Sequence, residues 1–114
     1  MQVGNSFKSK RRGDAEGHPI MERKKVQGDR KDHKVLLYAL STCGWCKMTK
    51  AFLVDSSVEY EYIDVDKLNH NEKELVNQDI KKRGGRIAFP TIIIDDKTII
   101  TGFKKDQITE ALGL

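Results

Sequence analysis

Both cysteines of this 114-residue chain fall in one stretch, Thr42-Cys43-Gly44-Trp45-Cys46-Lys47. Their C-x-x-C spacing suits thiol–disulfide exchange. A cysteine opening a helix faces the free backbone N–H groups of the first turn, which stabilise its thiolate and lower its pKa. Cys43 is therefore the expected nucleophile. The i, i+3 offset sets Cys46 within reach of a mixed disulfide on Cys43, and its attack closes a small-ring disulfide that reduction reopens. Two other readings compete. A structural zinc site would need two more ligands, yet there is no second cysteine pair, and His18, His33 and His70 show no paired spacing. Inert core cysteines would not be flanked by Thr42 and Gly44, which mark a turn. The expectation is a redox-active Cys43–Cys46 disulfide, no metal and no bound cofactor. No carboxylate stands out in the sequence as a proton acceptor for Cys46.

These residues need a strand before them and a helix after them. Residues 34–40 hold a continuous apolar run, which predicts a central strand covered on both faces. Helical spacing over residues 44–54 places Trp45, Met48 and Phe52 on one face. Residues 58–63 alternate and read as a second, more exposed strand, parallel to the first through a right-handed crossover. A helix is predicted over residues 69–82, with Leu75, Val76 and Ile80 inward and Lys81-Lys82-Arg83 suited to its C-terminal dipole. Gly84-Gly85 ends it. Residues 87–94 read as a third strand with Pro90 near its head, where a missing N–H is tolerated. Asp95-Asp96 turns the chain into a strand over 98–101, and Gly102 breaks it. A last helix is predicted over 104–112, with Ile108, Ala111 and Leu112 inward. The order is βαβαββα: an α/β fold with a four-stranded mixed sheet flanked by three helices.

Charge is divided unevenly. Residues 1–34 hold ten Lys/Arg and five Asp/Glu, whereas residues 35–114 hold eleven and twelve. The basic balance belongs to the N-terminal part, so the candidate enzyme domain, residues 34–114, lacks the signature of a nucleic-acid binder. Residues 1–33 are poor in branched and aromatic side chains and are expected to form a disordered basic tail. Its run Lys8-Ser9-Lys10-Arg11-Arg12 is of a type that touches nucleic acid or anionic lipid, but such runs are more often only solvated. Met21 is a candidate for an alternative start, which the sequence does not decide. No apolar run approaches the roughly 20 residues of a membrane span, and no secretion signal is evident. A lone C-x-x-C pair suits a reducing compartment, so the expectation is a cytoplasmic monomer.

With Cys43 and Cys46 at the first helix and Pro90 opening the third strand, residues 34–114 resemble the minimal thioredoxin fold of the glutaredoxins. The resemblance implies that Pro90 is cis and faces the cysteine pair, and that Phe89 offers its backbone to an extended substrate. Glutaredoxins that use glutathione commonly carry Cys-Pro-Tyr-Cys, a lysine three positions before the first cysteine, and acidic groups after a C-terminal Gly-Gly. Here the matching positions are Cys43-Gly44-Trp45-Cys46, Leu40 and Lys104-Lys105. The stretch Thr101-Gly102-Phe103-Lys104-Lys105-Asp106 is similar instead to the Ser-Gly-Phe-Arg-Pro-Asp motif of redoxins that feed ribonucleotide reductase. Those proteins draw electrons from a thioredoxin-reductase-like flavoenzyme, although their cysteine motif differs from Gly44-Trp45. Arg86 stands where glutaredoxins often place a basic residue for a glutathione carboxylate, and Lys47 is a second candidate. A flavoprotein reductase and a small acidic thiol thus both stay open as electron donor.

The function implied is a dithiol–disulfide oxidoreductase acting in electron transport and cell redox homeostasis on disulfide-containing substrates. Cys43 and Cys46 carry the reaction. Substrate is held by Phe89-Pro90 and Gly102-Phe103, with Trp45 presenting apolar surface to a partner. Two alternatives remain. An iron–sulfur cluster carrier of glutaredoxin type usually has a single cysteine followed by Gly-Phe-Ser, which Cys46 argues against. A redox-switched binding module would use the basic tail to grip nucleic acid.

Overall fold

The computed structural model describes residues 23–114. Their sheet has five strands: β1 (Lys24–Val26), β2 (Val35–Ala39), β3 (Tyr60–Asp64), β4 (Thr91–Ile94) and β5 (Thr98–Thr101). Spatially the order is β1-β3-β2-β4-β5. β2 pairs parallel with β3 and antiparallel with β4, and β4 and β5 form an antiparallel hairpin. Three helices cover it: α1 (Gly44–Asp55), α2 (His70–Lys82) and α3 (Lys105–Leu112). The βαβαββα order predicted for residues 34–114 is thus present.

β2 is the central strand because both of its faces find apolar cover. Val35, Leu37 and Ala39 join Cys46 and Leu53 of α1 and Ile108 and Leu112 of α3 in one buried cluster. Leu36 and Tyr38 point the other way and join Val76 and Ile80 of α2. The period of two along the strand separates two cores, one on each side of the sheet. Asn69 starts α2 with a capping box, accepting from the Glu72 N–H while the Glu72 carboxylate accepts from the Asn69 N–H.

Two expectations are corrected. The sheet has a fifth strand among the described residues, and it comes from the segment expected to be unordered. β1 pairs antiparallel with β3, with Val26 opposite Tyr60. Arg30 and Val58 form a further bridge, in which the Arg30 N–H donates to Ser57 and the Glu59 N–H donates to Arg30. The boundary at residue 33 is therefore too late: the open edge of β3 offers backbone partners even to a segment with few apolar side chains. Gly28 permits the approach, since a Cβ there would lie 2.6 Å from the Glu59 nitrogen and the Ser57 oxygen. The tail reading of residues 1–22 lies outside the described residues. Second, β4 begins at Thr91 rather than at residue 87. Pro90 has no N–H for the ladder, and the Thr91 hydroxyl turns back to the Ala88 carbonyl at 2.6 Å. The core face of α1 is Cys46, Thr49 and Leu53. Trp45 and Met48 share a face but leave it open, at 60% and 50% exposure. Thr49 can be buried because its hydroxyl donates to the Trp45 carbonyl at 2.8 Å.

Candidate active site

The turn after β2 delivers Cys43 to the N-cap of α1 with an extended backbone, φ −85° and ψ 124°. Its sulfur accepts the Cys46 N–H at 3.3 Å, so the thiolate lies on an otherwise orphaned donor of the first turn. Both cysteines are free thiols, Cys43 half-buried and Cys46 buried. The environment divides their acidities. Desolvation works against a Cys43 thiolate, but hydrogen bonds from the Cys46 thiol and from the N–H groups of Cys46 and Trp45 outweigh it and hold its pKa below the ordinary value. Cys46 is pushed up to about 12, first by burial and then by its bond to Cys43 and the charge there. The Leu40 N–H, which donates to the Cys46 sulfur at 3.4 Å, and the Lys50 ammonium pull the other way. Cys43 is made the more acidic sulfur, and Cys46 is kept as a thiol.

Contacts link these cysteines to residues far along the chain. Trp45 lies 6.3 Å from the Phe103 ring, and Phe103 makes an edge contact with Phe52 at 6.1 Å. The Gly102 N–H donates to the Pro90 carbonyl at 2.7 Å. Gly102 holds φ +89°, a conformation that disfavours side chains. The Phe89–Pro90 bond is cis. Phe89 packs against both cores, one of which Cys43 also borders. The sequence-predicted Cys43, Cys46, Trp45, Phe89, Pro90, Gly102 and Phe103 thus join one contact network. Lys47 on α1 and Arg86 in the loop before Pro90 are exposed; Lys47 meets the network through its N–H, which donates to the Cys43 carbonyl at 3.1 Å. Among the described residues, no group of three or more His, Cys, Asp or Glu gathers as a metal-ligand set, and no helix is long and apolar enough to cross a membrane.

Four residues at this site were not singled out from the sequence. Lys50, one turn after Cys46, donates to Asp64 at 3.1 Å and lies 4.0 Å from the centre of the Tyr62 ring. Ser41 donates to Asp66 through both its N–H, at 2.8 Å, and its hydroxyl, at 2.5 Å. Asp66 thereby ties the loop before Cys43 to the turn after β3, and these bonds hold its carboxyl below the usual range. The i, i+4 relation of Lys50 to Cys46 was visible in the sequence. The acidic partners were not, since they come from the parallel strand and the turn after it.

The glutaredoxin family model matches residues 35–99. Glutaredoxin 1 of Rickettsia prowazekii is 41% identical over 64 residues, 56% of this chain and 64% of that protein. The chain therefore spans a little under two thirds of that relative's length. The crystal structure of a glutaredoxin from Methanosarcina mazei superposes with a TM-score of 0.71 at 42% identity, covering 81% of this chain and 88% of that one. A methanoredoxin from Methanosarcina acetivorans gives 0.67 at 44% identity, over 75% and 87%. With the family model covering more than half of its length and the thioredoxin fold present, the chain belongs to the glutaredoxin family.

Proposed function

We propose that the protein is a dithiol–disulfide oxidoreductase working through Cys43 and Cys46. The observation that carries this reading is the placement of two free thiols in the first turn of α1, the Cys43 sulfur at the N-cap accepting the Cys46 N–H at 3.3 Å and Cys46 buried behind it; their surroundings lower the pKa of Cys43 and raise that of Cys46. The Cys43 thiolate attacks a substrate disulfide, forming a mixed disulfide and releasing one thiolate. Cys46 loses its proton to solvent, attacks the Cys43 sulfur and releases the second thiolate. The protein is left with a Cys43–Cys46 disulfide, having given up two electrons. β4 starts at Thr91, so the Phe89 backbone lies outside the sheet ladder, as strand-like pairing with a substrate segment requires. The exposed Trp45 and Met48 and the half-buried Phe103 offer apolar surface beside that segment.

The donor that restores the dithiol is proposed to be a thioredoxin-reductase-like flavoprotein. Leu40 and Lys104-Lys105 support this, since they replace the basic and acidic groups of glutathione users. The competing donor is a small acidic thiol held by Arg86 and Lys47. The test is a paired turnover assay, glutathione with its reductase against thioredoxin reductase, using Cys43→Ser and Cys46→Ser beside the wild type. Cys43→Ser should abolish insulin reduction, and Cys46→Ser should accumulate a mixed disulfide with a protein substrate. Wild-type insulin reduction by Cys43→Ser would remove the nucleophile assignment. Turnover with glutathione alone would reverse the donor.

A further inference from the structure

Lys50 and Asp64 form a partly buried ion pair beside the cysteines, their side chains 23% and 12% exposed. Helical side chains lean toward the N-terminus, so a residue at i+4 covers the turn in front of it. Lys50 therefore lies over the turn that holds Cys46. Asp64 fixes it there from the sheet: Asp64 pairs in register with Ala39 of β2, and the next residue, Leu40, donates its N–H to the Cys46 sulfur. The circuit Cys46, Leu40, Ala39, Asp64, Lys50 closes on itself. Around Cys46, β2, β4 and α3 contribute apolar Leu37, Ala39, Ile92 and Ile108. The titratable groups on this side are Cys43, Lys50, Asp64, the phenols of Tyr60 and Tyr62, and Lys105 of α3, whose ammonium lies 5.4 Å from the centre of the Phe52 ring; the Thr49 hydroxyl is engaged with the Trp45 carbonyl. Asp66 is engaged with Ser41. In this set Lys50 is the cation next to Cys46.

We infer that Lys50, held in place by Asp64, is a positioning residue for the second half-reaction, setting positive charge beside the Cys46 sulfur as it becomes the attacking thiolate. The inference rests on the dithiol reading above. Attack on the mixed disulfide requires a thiolate on a buried sulfur, and burial disfavours it. Lys50 offsets that cost, and Asp64 keeps the ammonium from swinging into solvent. The electron balance is unchanged: the Cys46 proton goes to solvent, the Cys43–Cys46 bond forms as the substrate sulfur leaves, and the substrate disulfide is reduced by two electrons.

The test uses the reduced full chain and dithionitrobenzoate in stopped flow. Cys43 attack releases one coloured thiolate, and Cys46 attack on the mixed disulfide releases the second. Lys50→Met should slow the second release three- to tenfold at neutral pH, because each unit of lost acidity removes tenfold of the thiolate while a more basic sulfur recovers about threefold in nucleophilicity. Its pH profile should move to higher pH, with the first release within twofold of wild type. Lys50→Arg should restore both rate and profile, and Asp64→Asn should give a smaller slowing. If Lys50→Met shows two releases with wild-type rates and an unmoved profile, the inference is overturned. A slowing without a profile shift overturns it as well, since a structural defect alone would produce that. If the wild type gives one release only, the dithiol reading itself fails.

Discussion

The division of acidity between the two sulfurs sets a measurable selectivity. Consider iodoacetamide acting on the reduced protein at pH 7. A thiol pushed up to about 12, as Cys46 is, holds on the order of one thiolate in 100,000, against roughly 3% for a free cysteine of pKa about 8.5. That is a deficit of ~3,000-fold. The more basic thiolate is the better nucleophile, and a Brønsted slope of about 0.45 over about 3.5 units recovers ~40-fold. Cys46 should therefore react about 75-fold more slowly than free cysteine on acidity alone. Its complete burial slows it further. Cys43 is half-buried with its pKa lowered, so it should be labelled first and its rate should hold to lower pH than that of free cysteine. Time-resolved peptide mass spectrometry, with the pH varied, reads both sites in one sample. Cys46 labelled within tenfold of Cys43 at pH 7 in folded protein would refute the reasoning. So would a Cys43 profile that titrates like free cysteine.

Three further outcomes bear on the scaffold. Cys46, Tyr38 and Tyr60 all have folded pKa values raised chiefly by burial, Cys46 and Tyr60 to about 12. Raised folded values mean stability present at neutral pH and lost as pH climbs past the unfolded values of about 8.5 and 10. Urea midpoints should therefore fall from about pH 8.5 upward, and Cys46→Ala should flatten the early part of that fall. Tyr38→Phe deletes a hydroxyl that donates to Asp79 at 2.7 Å. Asp79 keeps its contact with Arg83 at 3.1 Å, so the loss in urea unfolding should sit near the lower end for charged acceptors, about 1.5 kcal/mol. Gly28→Val places a side chain against the backbone of Ser57–Glu59. It should cost about 1–3 kcal/mol and raise amide exchange at Lys24–Val26, and unchanged exchange there would contradict the placement of β1.

What sequence alone determined here is local. C-x-x-C within one helical turn, an apolar run before it, a glycine pair ending α2 and a hairpin turn at Asp95-Asp96 depend on neighbours a few residues apart. Spacing therefore specifies them, and the glutaredoxin resemblance follows from their order. The edge strand β1 was invisible because its side chains carry no core pattern: backbone pairing with β3 and the gap at Gly28 hold it. The face of α1 that meets the sheet was equally hidden, because two apolar stripes run along that helix and only the fitted sheet selects Cys46, Thr49 and Leu53. The pairing of Lys50 with Asp64 needed the parallel register of β2 and β3, which sets a carboxylate beside a helix 14 residues away in the chain. Charge interactions act through space and are strengthened where water is excluded, so tertiary packing decided which groups surround the second sulfur.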